Sequence, residues 1–183
     1  MAMRDHLNEA AYSLRRSAIR EFSKMAAARE NCVRLTLGEP DFATPDAVCN
    51  AAAESLQAGD THYIENNGAR ELRIRIAEYE REKNVMDYDA DEIIVTSGAT
   101  EALFVSLLGI INPGDEVIIP VPAFVLYEEI VLLARGVPVF LDTAGDSLQI
   151  RREAIDFLIT DRTKAVILNS PNNPTGCVYD EDS

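Results

Sequence analysis

Tryptophan is absent from the 183-residue chain, and histidine, cysteine and lysine are scarce, which removes several kinds of chemistry at once. His6 and His62 are the only histidines, and nothing in their neighbourhood supplies a set of metal ligands, so no metal site is expected. Cys32, Cys49 and Cys177 are odd in number and irregularly spaced, which excludes a disulfide framework and a CxxC metal site. A reducing cytoplasmic setting is the natural expectation. Basic residues are outnumbered, 17 against 31 acidic ones, and the formal net charge of -14 argues against a nucleic-acid partner or an anionic membrane surface. No apolar run is long enough for a bilayer, and the N-terminal residues carry no signal-peptide pattern. Neither GxGxxG nor GxxxxGK[ST] occurs, which disfavours ordinary dinucleotide and P-loop binding.

What is present is an ordinary globular composition, 47% hydrophobic and 26% charged, with length for one sizeable core or one domain and part of another. The stretch from Ile93 to Leu103, IIVTSGATEAL, organises the rest. Its β-branched start predicts a buried parallel strand, Ser97 and Gly98 a close turn, and Thr100 to Leu108 an apolar helix. The first amides of such a helix lack intrahelical acceptors, so the junction is a candidate anion cup that needs no lysine.

Before that stretch, residues 4–30 carry a broken helical pattern through Leu14, Ala18 and Phe22, read equally well as an arm laid on another surface or as a helix covering its own domain. Gly38 and Pro40 break the run Val33 to Phe42. Thr44 is the expected N-cap of a helix with Pro45 at its first position and Gly59 at its end. Tyr63 stands in the turn-rich segment THYIENNG. A second helix over 69–83 is expected to bury Leu72, Ile76 and Tyr79 and to expose its charges. After Ile93, β-rich runs at 116–120, 137–142 and 164–169 alternate with helices, and Gly136 is the expected stop of the helix built from Tyr127 to Arg135. The fold class is α/β, a three-layer αβα arrangement with a mostly parallel sheet. Ligands gather at the carboxyl ends of such strands, so the chemistry is expected in the loops 97–100, 121–124 and 170–176.

Five strings, LGEPDF, the Tyr63 segment, TSGATEAL, PAFVLY and NSPNNPTG, occur in an order that closely resembles the class I aminotransferases, the pyridoxal-phosphate enzymes of fold type I. The resemblance runs from about Val33 to the C-terminus. It implies pyridoxal 5'-phosphate as cofactor, with Gly98, Ala99 and Thr100 at its phosphate, Phe124 stacked on its ring and Asn173 donating to its phenolic oxygen. It further implies that Tyr63 reaches the neighbouring subunit of a homodimer and that Gly38 lies beside the substrate carboxylate. Cis peptides are implied at Val121-Pro122 and Asn173-Pro174. The domains expected are an arm and opening loop over 1–45 and part of the large cofactor-binding domain over 46–183.

In that family the imine-forming lysine, the carboxylate on the pyridine nitrogen and the arginines for phosphate and substrate all follow NPTG. The lysines here are Lys24, Lys83 and Lys164, none placed for the imine. The resemblance therefore implies the N-terminal part of an aminotransferase, inactive by itself, whose parent moves an amino group from an amino acid to a 2-oxo acid. Two alternatives stand beside it: a noncatalytic phosphate-ligand-binding α/β module, and a related lyase or synthase of the same fold.

Overall fold

The protein is described by a computed structural model in which residues 8–14 and 18–183 are placed. The chain divides into two compact units, one holding residues 8–14 and 95–183 and the other residues 18–94 of those described.

The first unit is built on a parallel sheet of order β2-β1-β3, with β1 at Glu116–Val121, β2 at Val137–Asp142 and β3 at Thr163–Val166. The central position of β1 follows from its sequence, because EVIIPV is apolar on both faces. Val117 and Ile119 enter a cluster with Leu107, Ile111, Tyr127, Ile130 and Val131, which come from α5 (Ala99–Ile110), the residue after it and α6 (Leu126–Leu133). Ile118 faces the other way, into a cluster with Leu141 and Ile150 against which α7 (Arg152–Leu158) lays Ala154, Ile155 and Leu158. Alternation along one strand thus yields the expected three layers. Pro120 would break a ladder in most central strands. Here the backbone of 116 and 118 bonds toward the β3 side, Glu116 N to Arg162 O at 2.8 Å and Ile167 N to Ile118 O at 3.0 Å. By the same alternation Pro120 faces that side beyond the end of β3, where no amide is needed.

Two details depart from expectation. Residues 93–96 form no strand: Ile93 is extended (φ -107°, ψ 132°), yet no described strand pairs with the run, and Ile94 is 69% exposed. A β-branched run becomes a strand only when a neighbour takes up its amides and carbonyls. The helix after Tyr127 is likewise not stopped by a left-handed glycine. Arg135 takes the positive φ of 64°, and Gly136 serves packing instead, since a Cβ there would lie 2.9 Å from Ile111 Cγ2 and 3.1 Å from Val131 Cγ1.

The second unit contains α2 (Ala18–Ala27), α3 (Asp46–Ala58) and α4 (Arg70–Asn84); α1 (Glu9–Ser13) belongs with the first. The reading of residues 4–30 as one broken helix is met by α1 and α2, with residues 4–7 and 15–17 outside the described set; Phe22 is exposed. Helix α3 begins at Asp46 with Pro45 as its N-cap residue and no side-chain cap, so Thr44 does not cap it, whereas Gly59 ends it as expected at φ 86°. In α4 the expected buried face is only partly met: Ile76 is half-buried, but Leu72 and Tyr79 are about half exposed, and the residues the helix buries are Arg73 and Ala77. The cause is a set of acceptors around the guanidinium. Arg73 Nε donates to Gly68 O (3.1 Å) and Nη1 to Ala90 O (2.7 Å) and Asp91 (3.2 Å), while Nη2 pairs with Glu65. A cation at 1% exposure is tolerated because each of its three nitrogens has an acceptor.

Candidate functional site

The three loops singled out by sequence follow the strands and the opening of α5 in the first unit. Gly98 is the N-cap residue of α5, at φ 91° and ψ 167°, with no side-chain cap. Its conformation is one that side chains rarely adopt, which explains a glycine at the turn. The Gly98 amide is occupied by Thr96 O at 2.8 Å, and the Ser97 amide by the Glu101 carboxylate one turn on. The donors left to an external anion are therefore the amides of Ala99, Thr100 and Glu101, the first three helical positions. All of Gly98, Ala99 and Thr100 are exposed. Two of the three positions thus keep a free amide, and the third shapes the turn.

The turn after β1 carries Phe124. The Val121-Pro122 peptide is cis, as the family resemblance implies. This turn is gripped from both flanking strands. On the β2 side, buried Thr143 donates to Val121 O through its amide (3.0 Å) and its hydroxyl (3.0 Å). On the β3 side, Asn172 Nδ2 donates to Pro122 O at 3.0 Å. Phe124 is half-buried and meets the Tyr127 ring edge-on, with centroids 5.8 Å apart and planes at 83°. Burial of Tyr127 raises the pKa of its phenol above the ordinary 10.0, so it remains a neutral apolar support for that ring.

The third loop, residues 170–177, contains cis peptides at Asn173-Pro174 and also at Ser170-Pro171, the latter unforeseen. It closes on itself through Asn172 N to Cys177 O (2.8 Å) and Gly176 N to Asn172 O (2.7 Å). Asn173 gives its backbone amide to Asn169 Oδ1 (2.7 Å), and its own carboxamide is exposed. Gln149 fastens the following stretch, donating to Cys177 Sγ and Val178 O and accepting from the Asp180 amide and the Ser183 hydroxyl. Ser183 in turn holds the Asp180 carboxyl below its usual range, chiefly through its amide at 2.9 Å.

The structure therefore links the Phe124 turn directly to the Asn173 loop, and Leu103 and Phe104 of α5 pack on the cluster that Phe124 joins. Tyr63 and Gly38 lie in the other unit, both exposed, with nothing within 4 Å of a Cβ built at Gly38. Sequence reasoning missed Thr143, Asn172 and Glu101. The Asn172-Asn173 doublet was visible, but no spacing rule tells which amide is buried. A cleft of about 550 Å³ in the second unit is lined by Arg70, Arg81, Asp89 and Asp91 among others and contains none of the predicted site residues. Arg70 there pairs with Asp91 at 3.3 Å, and Arg81 pairs with Asp87 at 2.8 Å. No described helix is long and apolar enough to cross a membrane, and no cluster of metal-ligating side chains occurs among the described residues.

Fold and loops together define a three-layer α/β protein whose polar loops collect at the carboxyl ends of a parallel sheet. Residues 30–183 match the aminotransferase class I and II family, and the chain belongs to it. It is 43% identical over 171 residues to a probable aspartate aminotransferase of Methanocaldococcus jannaschii, covering 93% of this chain and 45% of that protein. It is 45% identical over 157 residues to the aspartate aminotransferase of Bacillus sp. strain YM-2, covering 85% and 40%. The structure superposes on Thermus thermophilus aspartate aminotransferase with a TM-score of 0.89 at 40% identity, over 96% of this chain and 47% of that one. The fold is that of these fold type I enzymes, and the chain spans a little under half the length of the relatives it matches.

Proposed function

We propose that this chain forms the part of a pyridoxal-phosphate-dependent aminotransferase that holds the cofactor's phosphate, ring face and phenolic edge. The observation that carries the reading is the direct bond from Asn172 to Pro122 O, which unites the turn bearing Phe124 with the loop bearing Asn173 at the ends of adjacent strands. The donor set fits the group. Two uncapped amides, Ala99 and Thr100, with the Thr100 hydroxyl beside them, suit a phosphate. A half-buried aromatic suits a flat ring, and an exposed carboxamide suits a phenolate oxygen.

When bound, the cofactor supplies an electron sink for the amino acid's reacting carbon. Phe124 restricts the ring's tilt, Asn173 donates a hydrogen bond that favours the deprotonated phenol, and the α5 amides anchor the phosphate without a buried cation. Lys24 on α2, Lys83 on α4 and Lys164 on β3 stand outside the strand-end loops, so amino-group transfer between an amino acid and a 2-oxo acid is assigned to the whole enzyme and not to these residues. The domain reading keeps 46–183 as cofactor-binding domain behind an arm and loop at 1–45. Exposed Tyr63 and the exposed apolar run Val33, Leu35 and Leu37 support a homodimer in which Tyr63 meets the neighbouring site. A cytoplasmic location accords with the free thiols.

Titration of the chain with pyridoxamine 5'-phosphate, followed by calorimetry, tests the proposal. Saturable binding that Ala99→Pro weakens, by removing one amide, is expected. Absence of binding, or binding indifferent to that change, overturns it.

A further inference from the structure

Adjacent asparagines in the 170–177 loop have opposite environments. Asn173 is exposed, whereas Asn172 is 8% exposed. Both N–H bonds of the Asn172 carboxamide have acceptors, Pro122 O at 3.0 Å and Thr175 Oγ1 at 2.8 Å. A main-chain carbonyl only accepts, so the amide must present its nitrogen to Pro122, and nothing remains on that nitrogen for a ligand. The Pro122 bond spans 50 residues of sequence and joins two loops that no strand pairing connects at that level. From the opposite side Thr143 holds Val121 O, so the Asn172 bond is the second of two grips that fix the turn before Phe124.

We infer that Asn172 is a positioning residue that locks the Phe124 turn to the Asn173 loop, so that aromatic wall and exposed carboxamide engage a planar ligand as one unit. The coupling of the loops stands on the geometry alone; its consequence for a ligand rests on the function proposed above. Asn172→Asp keeps the side chain's shape but replaces both donors by a carboxylate oxygen facing a carbonyl, whereas Thr175→Val removes the second acceptor and spares the Pro122 bond.

The experiment is hydrogen exchange and side-chain NMR on the labelled chain. For Asn172→Asp, exchange at the Asn173 and Gly176 amides should quicken roughly tenfold, the Phe124 ring resonances should shift, and Val117 to Ile119 should stay protected. Thr175→Val should loosen the loop and leave the Phe124 resonances in place. Phe124 unmoved in the aspartate variant, or moved equally in both, overturns the inference. Should Asn172→Asp fail to fold, the side-chain amide protons of Asn172 in the unaltered chain decide: exchange roughly tenfold slower than at Asn173 is expected, and equal rates overturn it. Binding supplies the ligand arm. Affinity for pyridoxamine 5'-phosphate should fall roughly tenfold in Asn172→Asp while affinity for inorganic phosphate is kept; an equal fall in both overturns the positioning role. If the unaltered chain binds neither compound, the proposed function fails while the NMR result still judges the coupling.

Discussion

The two units solve the problem of an interior in opposite ways. In the sheet unit the interior is apolar: Val117, Ile118 and Ile119 are almost wholly enclosed, and helices cover both faces. Among described residues 18–94 the buried positions are Gly68, Arg73 and Ala77, and the fixed point is a guanidinium with an acceptor at each nitrogen. Meanwhile Val33, Leu35, Phe42 and Ile64 face outward. A hydrophobic pattern therefore reports burial only where the unit makes its own core. Where polar groups do the holding, the same pattern marks surface.

The contrast is broken most forcefully at Ile118. Ile118→Ala removes a side chain at 0% exposure from the middle layer and should cost about 3–4 kcal/mol in denaturant unfolding. Arg73→Ala should cost about 2–3 kcal/mol, because Gly68 O and Ala90 O lose their donors while Glu65 and Asp91 return to water. Hydrogen exchange sharpens this. Protection in α4 should fall while that in β1 is kept, and equal loss in both would show that the units do not differ in what holds them. Gly136→Ala is expected to cost about 1–2 kcal/mol, since Ile111 Cγ2 and Asp115 O crowd the new methyl. Leu72→Ala, which the helical pattern marks as a core change, should stay within about 0.5 kcal/mol.

Glu116 offers the smallest and most conditional effect. The Thr160 hydroxyl at 2.6 Å, then the Arg162 guanidinium, hold its carboxyl below the ordinary 4.5, outweighing burial. A carboxyl with a lowered folded pKa stabilises fully above its unfolded value and loses that contribution as pH falls through the folded one. Stability measured from pH 6 down to pH 2 should therefore decline less steeply below about 4.5 in Glu116→Gln.

The sheet unit is largely legible in the sequence. EVIIPV, VPVFLD and the spacing of their turns carry the strands and their parallel direction, because apolar runs answer to local rules. Residues 93–96 were not legible, since strand formation depends on a neighbour that local sequence does not encode. At the site, the strings around Gly98, Phe124 and Asn173 were legible as a family resemblance, and family membership followed. The supports of those residues were hidden. Thr143 and Asn172 act across 22 and 50 positions, and nothing in the spelling of either segment announces the other. The buried face of α4 was misread for a related reason: Arg73 finds its acceptors in Glu65, Gly68, Ala90 and Asp91, outside the helix itself.

The two grips on the turn after β1 both close on main-chain oxygens, those of Val121 and Pro122. Shape there is consequently written in backbone, and the side chain at 124 is released from part of the duty of maintaining it. Evolution or an engineer can swap the aromatic at 124 for a larger or more polar one and alter what the wall recognises without having to rebuild where it stands.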